Sequence, residues 1–271
     1  MSTFIKELSG YSGCHIHLYD DNGKLFVRKL SGSEAYNQRL ERQIVKQAAF
    51  RHHILRAPQV YRTGYIDGCF YADMEYIDGK TVADIIRDGD YQTAHKAICN
   101  VLTLFTPANT VLTNAHDVVK KVESMRNALN HFDFQEPCQQ TLGKLCECTW
   151  STHPSACHGD LTLENMLVKD GKVYLIDFLD AFHDCLEVDM AKMLQDLRCM
   201  WSFRHNPLDA AGRDFMNNCA NQLLMLYKHI THADEKQLNM MLQLTLLRIY
   251  PYLKDDATKA FLDKELSTML K

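Results

Sequence analysis

ACHGDLTLENMLVKDGKVYLIDFLDAF, residues 156–182, combines a polar loop with two short apolar runs, and this combination decides the fold. Asp170-Gly171 stands between the runs, and such a dipeptide is a common signal of a two-residue hairpin turn. The sequence therefore predicts a loop followed by a β-hairpin. The polar side chains at the ends of these elements are His158, Asp160, Asn165 and Asp177.

Three oxygen-bearing side chains of this stretch suit the transfer of a phosphoryl group. Such a transfer needs a carboxylate that orients and deprotonates a hydroxyl, and oxygen ligands that hold Mg²⁺ on the nucleotide phosphates. Asp160, Asn165 and Asp177 supply that set. The alternative is a hairpin whose polar ends merely cap a turn. A hairpin with only that structural role would not need these three residues at this spacing.

The spacing resembles that of the protein-kinase-like superfamily, specifically its branch of aminoglycoside and choline phosphotransferases. The family pattern is His-x-Asp-x-x-x-x-Asn, followed across a hairpin by an apolar strand that ends in Asp. It is matched here by His158, Asp160, Asn165, VYLI and Asp177. The resemblance implies that Asp160 is the catalytic base, that Asn165 and Asp177 bind Mg²⁺, and that His158 braces the loop.

The same resemblance implies the bilobal protein-kinase-like fold of the α+β class. We expect residues 1–77 to form a nucleotide-binding lobe with an antiparallel sheet. Residues 78–271 would form a mainly helical lobe for catalysis and acceptor binding. Residues 91–150 have helical periodicity interrupted by Pro107 and Pro137, and an apolar segment after residue 238 is interrupted by Pro251. C-terminal helices line the acceptor pocket in this branch of the family.

Composition excludes several other classes of protein. A chain of 271 residues fits one two-lobed domain or two small domains and is long enough for a sizeable core. With 46% hydrophobic and 24% charged residues it is neither disordered nor fibrous. A net charge of −4 without a long basic run gives no indication of a nucleic-acid partner. The chain shows no secretory signal and no run of about 18 apolar residues, so we expect a cytoplasmic protein without a membrane partner.

The ten cysteines are irregularly spaced, and a reducing compartment would keep them as thiols. One cluster contains enough ligands for zinc: Cys146, Cys148, His153 and Cys157. Its spacing, C-x-C-x4-H-x3-C, matches no zinc module, and free cysteines commonly behave as small core residues. Thiols in the core are therefore the favoured interpretation, with zinc as the alternative.

A second hairpin is predicted near the start of the chain. Residues 14–19 and 25–30 are β-prone and flank Asn22-Gly23, the strongest two-residue hairpin signal. If these two residues form the loop, the strand pairing is fixed. The pairs are Asp21 with Lys24, Leu18 with Val27, and Ile16 with Lys29.

This register places Ile16, Leu18, Val27 and Lys29 on one face, which is apolar except for one ammonium. The face suits a nucleotide, with Ile16 and Val27 against the adenine and Lys29 at the phosphates. Val27-Arg28-Lys29 is similar to the end of the lysine-bearing strand of kinases, and Arg28 would point to the opposite face. A lysine on a solvated strand edge is the alternative.

Gly10-Tyr11-Ser12-Gly13 precedes this hairpin, where kinases carry their glycine-rich loop. Only G-x-x-G is present, and a two-glycine turn is common in proteins of many kinds. Its position predicts that the backbone amides of Ser12, Gly13 and Cys14 face phosphate.

A long helix is predicted after Ser33, a plausible N-cap. Its apolar stripe would comprise Glu41, Ile44, Val45, Ala48 and Ala49. Glu41, at the edge of that stripe, could pair with Lys29 as the corresponding acid does in kinases. Glu34 is the rival for this pairing, and a solvated helix carboxylate is the third possibility.

Two further segments resemble kinase elements. Met74-Glu75-Tyr76-Ile77 is similar to the hinge, which implies that backbone groups of Glu75 and Ile77 bind the adenine edge, with Met74 behind the base. Asp189-Met190-Ala191 is similar to the family's Asp-Leu-Ala, whose aspartate steadies the catalytic loop through hydrogen bonds. An acidic pocket rim that favours a cationic substrate, or an ordinary solvated turn, is predicted from Asp180, Asp184 and Glu187.

Three functions follow. The first is an ATP- and Mg²⁺-dependent kinase acting on a hydroxyl of a small molecule, such as a sugar, aminoglycoside, amino alcohol or related metabolite. The second is a protein kinase, disfavoured because Thr162 stands where protein kinases place lysine and no Ala-Pro-Glu motif follows Asp177. The third is an inactive nucleotide-binding scaffold, which would not need Asp160, Asn165, Asp177 and Lys29 together.

Overall fold

The computed structural model describes residues 2–8, 13–105, 112–129 and 136–271. The predicted α+β class is confirmed, with an antiparallel sheet in the N-terminal region and a helical C-terminal part. The chain divides into two compact units. Unit 1 comprises Met1–Thr81 and Asn165–Asp180, and unit 2 comprises Val82–Glu164 and Ala181–Lys271. The predicted division at residue 77 did not anticipate that residues 165–180 group with the N-terminal part.

Unit 1 contains a five-stranded antiparallel sheet, in the spatial order β1-β2-β3-β6-β5, and a second, four-stranded sheet, in the order β4-β11-β10-β7. Strand β1 was not predicted; it pairs only with β2 at the edge of the first sheet, and its Phe4 and Ile5 are exposed. The strands of the two sheets are β1 (Thr3–Leu8), β2 (Cys14–Asp21), β3 (Lys24–Ser31), β4 (Leu55–Arg56), β5 (Val60–Ile66), β6 (Cys69–Glu75), β7 (Lys80–Thr81), β10 (Met166–Lys169) and β11 (Lys172–Leu175).

The predicted register of the N-terminal hairpin is confirmed. Strands β2 and β3 pair Asp21 with Lys24, Leu18 with Val27, and Ile16 with Lys29. Asn22 and Gly23 have φ angles of 54° and 86°, as the two central residues of a type I′ turn require. Strand β3 lies between β2 and β6, so Lys29 is not on a strand edge.

Gly23→Ala is expected to lower the free energy of unfolding by about 1 kcal/mol, because a left-handed φ is unfavourable for alanine. A Cβ at this position would meet no atom within 4 Å, so the cost is conformational. The matched control is Gly143→Ala in a helix, where a Cβ also meets nothing within 4 Å and alanine should stabilise. Urea unfolding measures the change in the free energy of unfolding of each variant relative to the wild type. Changes of the same sign in the two variants would contradict the turn assignment.

Helix α1 (Asn37–Ala49) packs against the first sheet, but not with the predicted stripe. Its buried residues are Leu40, Gln43, Ile44 and Gln47. Of the predicted stripe only Ile44 is buried; Val45 is 67% exposed, and the two alanines are exposed. Two glutamines thus take positions on the buried face, and the burial of Gln47 is compensated because its Nε2 donates to the Pro58 carbonyl at 2.9 Å. The predicted cap, Ser33, precedes a single 3-10 turn and makes no capping bond with its side chain.

The second sheet explains why residues 165–180 belong to unit 1. Strand β11 pairs in parallel with β4, and β10 pairs with β7 in antiparallel fashion. Gly79 permits this close approach, since a Cβ there would lie 2.7 Å from the Val168 carbonyl oxygen.

Among its described residues, unit 2 consists mainly of helices and contains the short strand pair β8 (Thr113–Asn114) and β9 (Ser151–Thr152). As predicted, the apolar helix α8 ends before a 3-10 turn that contains Pro251. The interruption predicted at Pro137 agrees with the helix bounds: α4 ends at Leu129, and Pro137 is the second residue of α5, where a missing N–H is tolerated. Pro107 lies outside the described residues. In the described ranges no helix combines the length and apolarity needed to cross a membrane. The helices are α2 (Val82–Arg87), α3 (Tyr91–Leu102), α4 (His116–Leu129), α5 (Glu136–Glu147), α6 (Leu186–Leu197), α7 (Ala210–Thr231), α8 (Lys236–Leu247) and α9 (Asp256–Leu270).

Candidate functional site

The β10–β11 hairpin brings two of the predicted metal ligands to the same end of one element. Its turn is Asp170-Gly171, with φ angles of 49° and 71°. At the opposite end, the Asn165 carbonyl accepts a hydrogen bond from Ile176 N–H at 3.0 Å. Asp177 follows directly and adopts a left-handed φ of 60°, a conformation that aspartate tolerates better than most residues. Asn165 and Asp177 are therefore neighbours across the hairpin, as the sequence pattern predicts.

Lys29 and Asp177 form an ion pair within unit 1. The two residues are far apart in sequence, and the lysine side chain is only 8% exposed against 31% for the aspartate. Burial by itself would lower the pKa of Lys29, but the charge of Asp177 and the hydrogen bond to it outweigh burial and raise this pKa. Lys29 is thus a buried ammonium whose charge is balanced by the hairpin.

The predicted partners of Lys29 lie elsewhere. Glu41 accepts a hydrogen bond from the hydroxyl of Tyr65 at the exposed side of α1. The Glu34 carboxylate lies against Gly68, in the turn between β5 and β6. The structure therefore differs from the predicted pairing of Lys29 with either glutamate, because the acid that contacts the ammonium is Asp177, two residues after β11.

Arg28 confirms the assignment of faces on β3. Its guanidinium donates to both oxygens of Asp73, at 2.6 and 2.8 Å, on the side of the sheet opposite to Lys29. It also stacks on Tyr71 at 4.5 Å from the ring centroid. Lys29 is therefore the basic residue of β3 that shares a face with Val27 and Ile16.

The predicted glycine turn is described only in part. Ser12 lies outside the described residues, whereas the carbonyl of Gly13 accepts a hydrogen bond from Gly32 N–H at 2.9 Å. A Cβ at position 13 would lie 3.3 Å from the ring of Tyr36. Gly13 is therefore packed between the end of β3 and the start of the α1 region.

The predicted adenine face has the expected strand neighbours. Val27 pairs with Met74 across β3 and β6, and both contact a core cluster that includes Leu40 and Ile44 of α1. Met74 is buried in that cluster, while Ile16 and Val27 are half-buried. The apolar part of the predicted site is therefore continuous with the core of unit 1.

Two backbone groups of the hinge-like segment already form hydrogen bonds within the protein. Glu75 N–H donates to the Gln59 carbonyl at 2.8 Å, and the Ile77 carbonyl accepts from Gly79 N–H at 3.0 Å. A main-chain contact with adenine at these positions would therefore need the Glu75 carbonyl and the Ile77 N–H.

In unit 2, Asp189 of α6 holds the loop that carries Asp160. Its two carboxylate oxygens accept hydrogen bonds from His158 N–H at 2.6 Å and from Gly159 N–H at 2.8 Å. The His158 ring braces the loop from within, because Nδ1 accepts from Asp160 N–H at 3.3 Å. The loop-steadying roles predicted for Asp189 and His158 are confirmed by these contacts.

Asp160 itself contacts a residue that the sequence interpretation missed. Lys192 Nζ lies 3.0 Å from Asp160 Oδ1. Burial alone would raise the pKa of Asp160, but Lys192, followed by His158 and Arg248, lowers it overall. Asp196, also missed, accepts the Leu163 N–H at 2.7 Å. The signal that could have found both is their helical spacing of three and seven residues from Asp189.

Asp189→Asn is expected to lower the free energy of unfolding by about 2 kcal/mol, because an amide offers one oxygen to two buried N–H donors. Turnover should fall as well, since the loop that presents Asp160 loses a support. Urea denaturation and kcat measure the two effects. Asp214→Asn on the exposed side of α7 is the control and should change neither quantity. An Asp189→Asn variant as stable as the control would contradict this role.

The predicted acidic rim is not formed as proposed. Glu187 is fully buried, and its Oε1 lies 2.5 Å from His153 Nδ1 and 3.3 Å from the hydroxyl of Tyr227. It is therefore a core residue of unit 2. Asp180 accepts a hydrogen bond from Arg42 at 2.8 Å, and Asp184 accepts one from the thiol of Cys157 at 2.9 Å.

The zinc alternative finds no support in the structure. Within residues 136–271, the ligand atoms of Cys146, Cys148, His153 and Cys157 do not gather around one point. His153 and Cys157 are instead engaged by carboxylates. None of the ten cysteines, all of which lie in the described ranges, forms a disulfide.

Comparison with known proteins agrees with the fold. The sequence model of the phosphotransferase enzyme family, APH, matches residues 5–242. No curated protein sequence matches the chain significantly. The crystal structure of aminoglycoside phosphotransferase APH(4)-Ia is similar with a TM-score of 0.65 at 13% identity, covering 100% of this chain and 94% of that one.

Two further structures show the same likeness. A thermostable mutant of APH(4)-Ia in a ternary complex with ADP and hygromycin B gives a TM-score of 0.65 at 13% identity, covering 99% of this chain and 93% of that one. A candidate fructosamine-3-kinase from Haemophilus somnus 129PT gives 0.59 at 14% identity, covering 99% and 92%. At these identities the structural likeness concerns the fold, whereas the family match spans most of the sequence. The chain belongs to the phosphotransferase enzyme family and has a protein-kinase-like fold.

Proposed function

We propose that the protein is an ATP-dependent kinase that transfers the γ-phosphoryl group to a hydroxyl of a small molecule. Sugars, aminoglycosides, amino alcohols and related metabolites are the acceptor classes. The observation that carries the proposal is the buried ion pair between Lys29 of β3 and Asp177 of the hairpin. Lys29 is buried, and its positive charge is neutralised by a carboxylate. Such a lysine is suited to bind phosphate oxygens in place of that carboxylate. The APH(4)-Ia mutant with bound ADP and hygromycin B supports a nucleotide and a hydroxyl-bearing acceptor.

In this proposal Asp160 orients the acceptor hydroxyl and accepts its proton. Its loop is fixed by the two hydrogen bonds to Asp189, so the carboxylate is positioned before the acceptor binds. Lys29 neutralises charge on the α- and β-phosphates, with Ile16, Val27 and Met74 on the adenine side of the same sheet.

Asn165 and Asp177 would hold Mg²⁺. They fit this ion because both offer oxygen donors from the same end of one hairpin, and Mg²⁺ is bound in proteins by few carboxylate or amide oxygens together with phosphate oxygens. When bound, Mg²⁺ would supply charge neutralisation for the phosphates. Asp177 also forms the ion pair with Lys29, so the same carboxylate holds the lysine beside the residues that would bind the metal.

An acceptor screen tests the proposal. Sugars, amino alcohols, aminoglycosides and generic protein substrates are each incubated with Mg·ATP, and ADP release is measured above the background without acceptor. We expect release with one small-molecule class. Phosphorylation of casein-like proteins without a small-molecule acceptor would support a protein kinase instead, and nucleotide binding without any turnover would favour the scaffold.

A further inference from the structure

One face of α6 contacts the Asp160 loop at three successive points. Asp189 accepts the amides of residues 158 and 159, Lys192 contacts the carboxylate of Asp160, and Asp196 accepts the amide of Leu163. The spacing of three and seven residues places these side chains on one helix face. The outer two contacts hold the backbone, whereas the central contact holds a side chain. Lys192 thus acts on the group that the proposed reaction uses.

Lys192 occupies a defined position and is not a mobile surface lysine. Its side chain is 14% exposed, and Nζ lies 3.0 Å from Asp160 and 3.2 Å from Oε1 of the buried Gln195. A lysine with two oxygen partners and little solvent keeps one geometry, unlike the solvent-exposed ion pairs that contribute almost nothing.

The sequence of the loop gives this contact its significance. Thr162 stands two residues after Asp160, so the loop contributes no lysine beside the carboxylate. In phosphoryl transfer the transition state is loose, and orientation and charge matter more than the strength of the base. An ammonium next to the carboxylate keeps it ionised and fixes the direction in which it accepts a hydrogen bond.

We propose that Lys192 is a positioning residue for phosphoryl transfer, which holds the carboxylate of Asp160 ionised and oriented and supplies from α6 the lysine that the loop lacks. The inference rests on the proposed function and adds to it a residue outside the family pattern quoted above. Other charged groups act on Asp160 in the same direction, namely His158 of the same loop and Arg248 after α8. Lys192 is the largest of the three influences that lower the pKa of Asp160.

Lys192→Met is the test, with kcat, the two Michaelis constants and the pH profile of kcat as readouts. We expect kcat to fall about 10- to 100-fold, while the Michaelis constants for ATP and acceptor change less than about twofold. The acid limb of the profile should move to higher pH, because Asp160 loses the main influence that lowers its pKa. Lys192→Arg should restore part of kcat and move the acid limb back.

Lys259→Met is the matched control. Lys259 and Asp263 of α9 form an ion pair at the same distance, 3.0 Å, so this variant loses an equivalent contact away from Asp160. It should change neither kcat nor the pH profile. If Lys192→Met does not fold, Lys192→Gln, which removes the charge but keeps hydrogen bonding, gives the same comparison.

The outcomes separate the two levels of the proposal. A wild type that phosphorylates an acceptor, together with a Lys192→Met variant that keeps its kcat and acid limb, overturns the inference alone. Equal losses in Lys192→Met and Lys259→Met overturn it too, since the effect would then be one of general stability. A wild type that transfers phosphate to no acceptor overturns the proposed function and this inference with it.

Discussion

Asp160→Asn is expected to lower kcat about 10³-fold while the affinity for Mg·ATP stays within about twofold. The amide keeps the shape of the side chain but cannot accept the proton of the acceptor hydroxyl. The nucleotide is assigned to residues of unit 1, so its binding should not depend on this carboxylate. Steady-state kinetics and titration calorimetry with a non-hydrolysable ATP analogue measure the two quantities.

Part of any loss could come from the broken ion pair with Lys192 rather than from the missing base. Asp263→Asn controls for this, because Asp263 accepts from Lys259 at the same 3.0 Å distance that joins Asp160 to Lys192. We expect this control to lose stability and to keep its kcat. An Asp160→Asn variant with full turnover would show that another group accepts the proton.

Asp177→Asn is expected to weaken the binding of ATP in the presence of Mg²⁺ about 100-fold, or about 2.7 kcal/mol. Two effects combine: the metal loses a charged ligand, and Lys29 loses the carboxylate that balances it in a buried position. Asparagine is preferred to alanine here because it tolerates the left-handed φ of 60°. Calorimetric titration of ATP with and without Mg²⁺ measures the change.

Asp170→Asn is the matched control for this variant. Asp170 lies on the same hairpin with a similar φ of 49°, but in its exposed turn. It should bind Mg·ATP as the wild type does. If Asp177→Asn weakened ATP binding equally with and without Mg²⁺, the metal-ligand role would be rejected and the role of Lys29's partner retained.

Much of the site could be predicted because its signals are local in sequence. Asn22-Gly23 fixes a turn, and the turn fixes the register that puts Lys29 beside Ile16 and Val27 on one face. The roles proposed for the loop and hairpin of residues 158–177 follow from a spacing that can be recognised without tertiary information.

The contacts that could not be predicted depend on tertiary structure. The partner of Lys29 lies 148 residues later in the sequence, just after β11, and no local pattern specifies that contact. On α1, the buried face includes Gln43 and Gln47 and therefore differs from the predicted stripe. A hydropathy pattern treats glutamine as a surface residue and does not take into account a tertiary hydrogen bond such as that of Gln47. Lys192 was missed for the opposite reason: a lysine on a helix is ordinarily solvated, and only the position of Asp160 gives it a role.

The pairing of β11 with β4 and of β10 with β7 has a consequence for biosynthesis. Unit 1 is interrupted in sequence by residues 82–164, so its second sheet cannot close until the ribosome has made residue 175. During translation, β4 and β7 therefore remain unpaired with β11 and β10 while the intervening helices are synthesised. A nascent chain stalled before that point should be sensitive to protease in its N-terminal part, and an excised fragment of residues 1–81 would lack the strands that complete it.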